Sequence, residues 1–327
     1  MSRRLLVGYA SAAVVLGIAP LFLDPYWVDV LNSVGLYALL ALSLNLILGD
    51  AGLFNMGQAA FYAVGAYTAA ILSTQLHVPI LWALPVSGLV AALFAALVAR
   101  PVIHLRGDYL LIVTIGLGEI VRIALVNDVF GLTGGANGIF GIARPSILDH
   151  KIRRPQEFFY LIWAFVALTV FLFHRLEQSR FGRALNYLRE DPVAAEGSGV
   201  NTARYKLLAF ALGAGWAGMT GSLYAAKMTI ISPESFSFWE SVVVFLMVIL
   251  GGSGSIPGVL LGAALVVMVP EFFRGLASAR MLFFGLVMMV MMVVRPQGLL
   301  PLRAPRFKRS DLPRAEPAPG AAPGGAK

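Results

Sequence analysis

The sequence contains no cysteine. That removes disulfides, thiolate metal sites and cysteine nucleophiles, and leaves the redox compartment unreadable. Histidine is nearly as scarce: His77, His104, His150 and His174 are scattered, with no pair at ligand spacing. No metal or other cofactor is expected. Charge is the third shortage, since Asp, Glu, Lys and Arg make up only 13% of the 327 residues, about half the share of an ordinary soluble domain. No lysine follows a glycine, so the phosphate-cradling G-x-x-x-x-G-K-[ST] loop is missing. No serine sits in the G-x-S-x-G spacing of a nucleophile elbow. No catalytic residue is expected and the chain does not read as an enzyme. Energy for any work against a gradient must come from an ion gradient or from another subunit.

What is present is apolar: hydrophobic residues make up 58% of the chain and the mean hydropathy is +0.80. This excludes a conventional soluble enzyme, and the 34 glycines exclude a plain Leu/Ala bundle. At about 20 residues per span of a ~30 Å hydrocarbon core, ten spans use about 200 residues and leave about 120 for connections. Apolar runs bounded by charge, Pro or Gly clusters predict spans near 5–23, 28–48, 53–75, 79–99, 109–126, 158–174, 207–226, 238–250, 256–270 and 278–294. The ninth and tenth are short or Gly-interrupted. The expected fold is therefore an all-α integral membrane protein, a polytopic bundle of about 8–10 transmembrane helices. Residues 1–302 form the membrane domain. Residues 303–327 begin basic and turn to Pro, Ala and Gly, a composition that buries no core and predicts a disordered tail. The first run follows Arg3 and Arg4 without a small-x-small cleavage site and reads as a retained span.

The net charge of +8 reports topology here, and no nucleic-acid partner is expected. An inside N-terminus puts Arg3, Arg4, Arg100, Arg106, Arg175, Arg180, Arg183, Arg189, Arg204, Lys206 and the basic C-terminal stretch in the cytoplasm, with both termini there. The 127–157 connection then lies outside, although it carries Arg144, Lys151, Arg153 and Arg154.

The most informative polar stretch is the cytoplasmic loop at about 175–206. Phe181, Ala184, Leu185 and Leu188 fall at i, i+3, i+4, i+7 and form a narrow apolar stripe. Asp191 is a good N-cap and Pro192 a good first helical residue, predicting a helix of about six residues that Gly197-Ser198-Gly199 must end. So short a helix is unstable alone. The membrane surface, the rest of the chain or a partner protein must hold it.

A short cytoplasmic helix with an Ala-Ala-Glu core resembles the ATPase-coupling loop of ABC importer permeases. The likeness extends through Gly107-Asp108-Tyr109-Leu110, Ile112 to Arg122, Leu132-Thr133-Gly134-Gly135-Ala136-Asn137-Gly138, Gly182-Arg183-Ala184-Leu185 and Arg189-Glu190-Asp191. It continues in Ser232-Pro233-Glu234-Ser235-Phe236, Val248 to Ser255 and Arg295-Pro296-Gln297-Gly298-Leu299-Leu300. Together these are similar to the branched-chain amino acid permease family, M-type subunit. Residues 49–58 depart from the family pattern, with Asp50, Asn55 and Gln58 where an aromatic, Ser and His are usual. The resemblance implies an H-type permease partner, two cytoplasmic ABC ATPases and a periplasmic or extracellular solute-binding protein, in the plasma membrane of a prokaryote. It implies coupling to the ATPase through Arg183, Arg189, Glu190, Asp191, Pro192, Ala194, Ala195, Glu196 and Gly199. Alternatives are the same machine for urea or another amide, or a gradient-driven secondary transporter.

Glu119 lies about ten residues into its span, where an unpaired carboxylate is costly. With Arg122 it forms either a polar group near the translocation path or a self-satisfied i,i+3 pair. Asn45, Asp50, Asn55 and Gln58 surround the Gly49–Gly52 break, lining a cavity or capping an ordinary turn. Gly213, Gly215, Gly218 and Gly221 recur at close-packing spacing and should admit another helix. Arg144, Lys151, Arg153 and Arg154 either dock an acidic patch on the binding protein or sit near lipid head groups.

Overall fold

The structure is a computed structural model. It describes residues 22–272 apart from 106, 130, 148 and 149, together with positions 17, 20, 285, 286, 289, 290, 293–295 and 298–300. The expected first span, most of the 278–294 span, Arg3, Arg4, Arg106 and the 303–327 tail lie outside the described residues.

Among the described residues ten α-helices follow in order: α1 Pro25–Asn45, α2 Gln58–Thr74, α3 Ile80–Val102, α4 Asp108–Val126, α5 Pro155–Gln178, α6 Arg180–Glu190, α7 Pro192–Gly197, α8 Thr202–Met228, α9 Phe238–Gly251 and α10 Ile256–Phe272. Of the described segments six are long and apolar enough to cross a membrane, including Pro25–Asp50 and Pro233–Gly251, and α10 is a shorter apolar helix. The chain is a polytopic, all-α membrane protein. Among the described residues sheet is confined to four two-residue strands, in which β1 Ile139–Phe140 pairs with β4 Ile230–Ile231, and β2 Ser146–Ile147 with β3 His150–Lys151.

Helices α1 and α8 form the centre: α8 packs on α1, α2 and α3, while α1 also meets α5, α9 and α10. Water provides no drive between helices in lipid, so close backbone approach supplies the packing. The α8 glycines do this as the spacing predicts. Gly218 lies against Ser87 and Ala91 of α3 and faces Gly65 of α2, Gly221 meets the Tyr62 carbonyl and Ala66, and Gly213 meets Ser43 of α1 and Ile47 just beyond it. Trp216 donates to Thr169 Oγ1 at 2.8 Å, tying α8 to α5.

By contrast, α4 is mostly exposed, only 17% of its apolar window being buried. Beyond it local bonds tie Asp128 to Thr133. Asp128 accepts from the Thr133 N–H at 2.7 Å and from its hydroxyl at 2.8 Å, and these donors hold its carboxyl below the usual carboxylate range. A depressed carboxylate stabilises above its unfolded value and loses that contribution as pH falls through its folded one. Protection of the Thr133 amide against hydrogen exchange should therefore persist at neutral pH and disappear on acidification below the ordinary aspartate range. Asp128→Asn should lose it at pH 7.

Candidate functional site

Two regions concentrate polar chemistry, one at each end of α1. At its C-terminal end α1 loosens into a buried π-helical turn, Leu46–Asp50. Asn45 accepts from the Gly254 N–H at 2.7 Å, and Gly49 lies against the same backbone. The repeated Ile-Leu-Gly-x-x-Gly segments at 47–52 and 249–254 thus touch. The N-terminal donors of α2, which have no partner within their own helix, are met by imported side chains. The Gly57 N–H goes to Asn55 Oδ1 at 2.9 Å and the Ala59 N–H to Ser241 Oγ at 2.9 Å, while the Met56 N–H just before them reaches Thr114 Oγ1 at 3.1 Å. Asn55 also donates to Gln58 Oε1 at 2.9 Å, and Gln58 donates to Ser43 Oγ at 2.7 Å.

Asn45, Asn55 and Gln58 are therefore buried caps and cross-links between α1, α2 and the α9–α10 turn. With Asp50 they are buried, and none of the four lines either of the cavities described below. Gln58→Leu would leave the Asn55 amide and the Ser43 hydroxyl without this partner, costing about 1–3 kcal/mol. A Tm lowered by several degrees in detergent is the expected result.

The loop that follows α5 turns back beneath this network. Ser179 caps α6 by accepting from Phe181 and Gly182, and Asp191 caps α7 by accepting from Val193 at 2.9 Å and Ala194 at 3.1 Å. Pro192 is the first residue of α7, which ends at Gly197, with Gly199 at φ +82°. The apolar stripe turns inward: Ala184, Leu185 and Leu188 are buried and Phe181 packs on Tyr205. The remainder of the chain thus holds the short helix. Glu196 accepts from the Thr202 hydroxyl at the start of α8.

Glu190, Asp191, Val193, Ala194, Glu196 and Gly199 are exposed, whereas Ala195 is buried. Arg183 stays local, donating to the Gln178 carbonyl at 2.8 Å. Arg189 instead reaches inward and donates to the Gly49 carbonyl, and Gly52, at φ +68°, leaves room for its side chain. A cavity of about 300 Å³ opens here between Gly52–Phe54, the start of α4, Arg189 and Pro192–Val193.

The second region lies at the opposite end, beside β1 and β4. Ser33, Leu36, Tyr37 and Leu40 stand at i, i+3, i+4, i+7 on α1 and form one wall of a cavity of about 300 Å³. Tyr224, Lys227 and Met228 of α8 form another, with Tyr62, Glu234 and Glu240. Lys227 pairs with Asp29 at 2.9 Å and reaches Ser33 Oγ at 3.4 Å. Arg122 binds Glu119 and also Glu234, at 3.2 Å. The i,i+3 pair thus exists, with a third member that the sequence reading missed.

The family described as branched-chain amino acid transport system / permease component matches residues 26–294. This chain belongs to that family. It is 40% identical over 324 residues, covering 92% of this chain and 76% of the relative, to the Escherichia coli high-affinity branched-chain amino acid transport system permease protein LivM. It is 28% identical over 290 residues to the E. coli LivH protein, covering 81% of this chain and 91% of that one. It is also 26% identical over 317 residues to a probable LivM permease of Methanocaldococcus jannaschii, covering 82% and 91%. No solved structure matches.

In this permease the sequence-predicted residues fall into separate places. The residues expected to couple to an ATPase gather on α6, α7 and the turn after α7, and Glu119–Arg122 reaches toward the second cavity through Glu234. Exposed Arg144, Arg153 and Arg154 lie beyond α4, with the Lys151 backbone in β3. Arg144 donates to the Arg153 carbonyl at 3.4 Å, and the Arg153 and Arg154 N–H groups are held by Glu157. Glu240 was missed, although a carboxylate three residues into an apolar helix is the same signal that marks Glu119.

Proposed function

We propose that this permease is the M-type membrane subunit of an ATP-binding-cassette importer for branched-chain, hydrophobic amino acids. It pairs with an H-type permease, is driven by two cytoplasmic ATPases and receives substrate from an external solute-binding protein. Its place is a prokaryotic inner membrane, with both termini cytoplasmic. The observation that carries this reading is α7, a six-residue helix capped by Asp191, tied to α8 through Glu196 and presenting exposed Val193 and Ala194 away from the bundle. A rigid, exposed, partly apolar knob at a loop tip is what a soluble motor subunit needs to grip.

In this reading the path follows the Glu119–Arg122 face of α4, which is partly exposed among the described residues, with Asn45, Asp50, Asn55 and Gln58 bracing its cytoplasmic end. Vesicles holding the four kinds of subunit should take up radiolabelled leucine only with ATP. A Glu190/Glu196 double Ala variant should lose uptake while still assembling. Leucine entry without ATPase subunits would instead indicate a gradient-driven carrier, and ATP-dependent uptake of an amide in place of leucine would reassign the substrate.

The basic group Arg144, Lys151, Arg153 and Arg154 serves docking of the binding protein by electrostatic steering. Reversing all four charges should raise the concentration of binding protein needed for half-maximal uptake at least tenfold. Unchanged apparent affinity would exclude docking there.

A further inference from the structure

The cavity beside β1 and β4 combines an apolar frame with both signs of charge. Leu36, Leu40 and Met228 supply the frame. Lys227 has a side chain only 8% exposed, and its contacts to Asp29 and Ser33 engage two of its three donors. Of the two cavity carboxylates, Glu234 is held by Arg122. Glu240 is different: among the described residues it forms no ion pair, and its polar partner is the Tyr37 hydroxyl. That single donor leaves most of the lone-pair capacity of a carboxylate unused, in a half-buried site where an unpaired charge is expensive. Behind it Tyr62, Tyr224 and Phe236 pack into one cluster, with ring centroids 5.2–6.0 Å apart, fixing the wall. About 300 Å³ is at the lower bound of small-molecule pockets.

We propose that this cavity is a transit site for a zwitterionic amino acid. The α-ammonium is received by Glu240 beside Tyr37, the α-carboxylate by the free donor of Lys227, and the branched side chain by Leu36, Leu40 and Met228. The assignment rests on the transport reading and specifies how one subunit recognises the cargo. A neutral amide such as urea has no charge to satisfy Glu240, so the site favours amino acids over it.

The test uses the reconstituted importer with partner subunits made free of cysteine. Because this chain has none of its own, Ser235→Cys places a single thiol in the cavity wall. Leucine should slow modification of that thiol by a methanethiosulfonate reagent, and 4-methylpentanoate, which lacks the ammonium, should not. Adding Glu240→Gln should abolish the protection and cut ATP-driven leucine uptake at least tenfold. If Glu240→Gln fails to assemble, Tyr37→Phe takes its place and should weaken protection severalfold. Equal protection with and without Glu240, protection by 4-methylpentanoate, or wild-type uptake by Glu240→Gln overturns the proposal while leaving importer function standing. Absence of ATP-dependent leucine uptake by the unsubstituted complex overturns the transport reading and the assignment with it.

Discussion

Arg189→Ala is expected to lower the amount of leucine imported per ATP hydrolysed by at least tenfold. Arg189 is the penultimate residue of α6, two residues before the cap of the exposed short helix, and its guanidinium donates to the Gly49 carbonyl in the π turn that closes α1. The contact joins the α6–α7 loop to the most buried of the candidate spans, which packs on α5, α8, α9 and α10. A push on α7 therefore has a route into α1 through this side chain, beside the Glu196–Thr202 tie to α8. Removing a hydrogen bond to a charged group costs about 1.5–3 kcal/mol, roughly a tenfold to hundredfold change in the balance between the engaged and disengaged arrangements. Arg189→Lys keeps the charge but not the fork geometry and should fall between the two. A ratio of import to hydrolysis unchanged in Arg189→Ala would remove the residue from the coupling route. The measurement is parallel uptake and phosphate release on one preparation of vesicles.

Gly218→Leu is expected to abolish folding outright. The Gly218 backbone faces Gly65, and a Cβ at 218 would meet the Ala91 Cβ and lie 2.9 Å from the Ser87 carbonyl. Overpacking a core costs about 1–3 kcal/mol where side chains can rotate away. Here the obstacles include the α3 backbone at Ser87 and Gly88, so relief requires α3 to move apart from α8. Against a total stability of about 5–15 kcal/mol, separating these two packed helices leaves no folded state. Gly116→Leu on α4 is the control, since a Cβ there meets nothing within 4 Å. Size-exclusion profiles in detergent should show a sharp peak for Gly116→Leu and aggregate for Gly218→Leu. A folded Gly218→Leu protein would mean that α3 and α8 are not locked at this point.

The α6–α7 loop was legible because its signals are local. An N-cap acid, a proline at the first helical position and a Gly-Ser-Gly stop specify α7 within a few residues. The i, i+3, i+4, i+7 spacing of Phe181, Ala184, Leu185 and Leu188 names the face that turns inward. The glycines of α8 were legible for the same reason. Glu234 as a partner of Arg122 was not, since 112 residues separate them and neither segment carries a pattern naming the other. The polar group at 45–58 read equally well as a cavity lining or as a set of caps, because composition does not say which donor meets which acceptor.

The sequence by itself determined that the chain is an apolar, many-helix membrane protein without a phosphate loop. It also determined that a capped helix interrupts its spans, because hydrophobic period, capping and turn chemistry act over a few residues. Only the tertiary structure decided that Arg189 points into the bundle, that Gly49 and Gly254 touch, and that Lys227 and Glu240 share one cavity with Tyr37. Those facts depend on how helices distant in sequence cross, and the crossing is set by which small residues let two backbones meet.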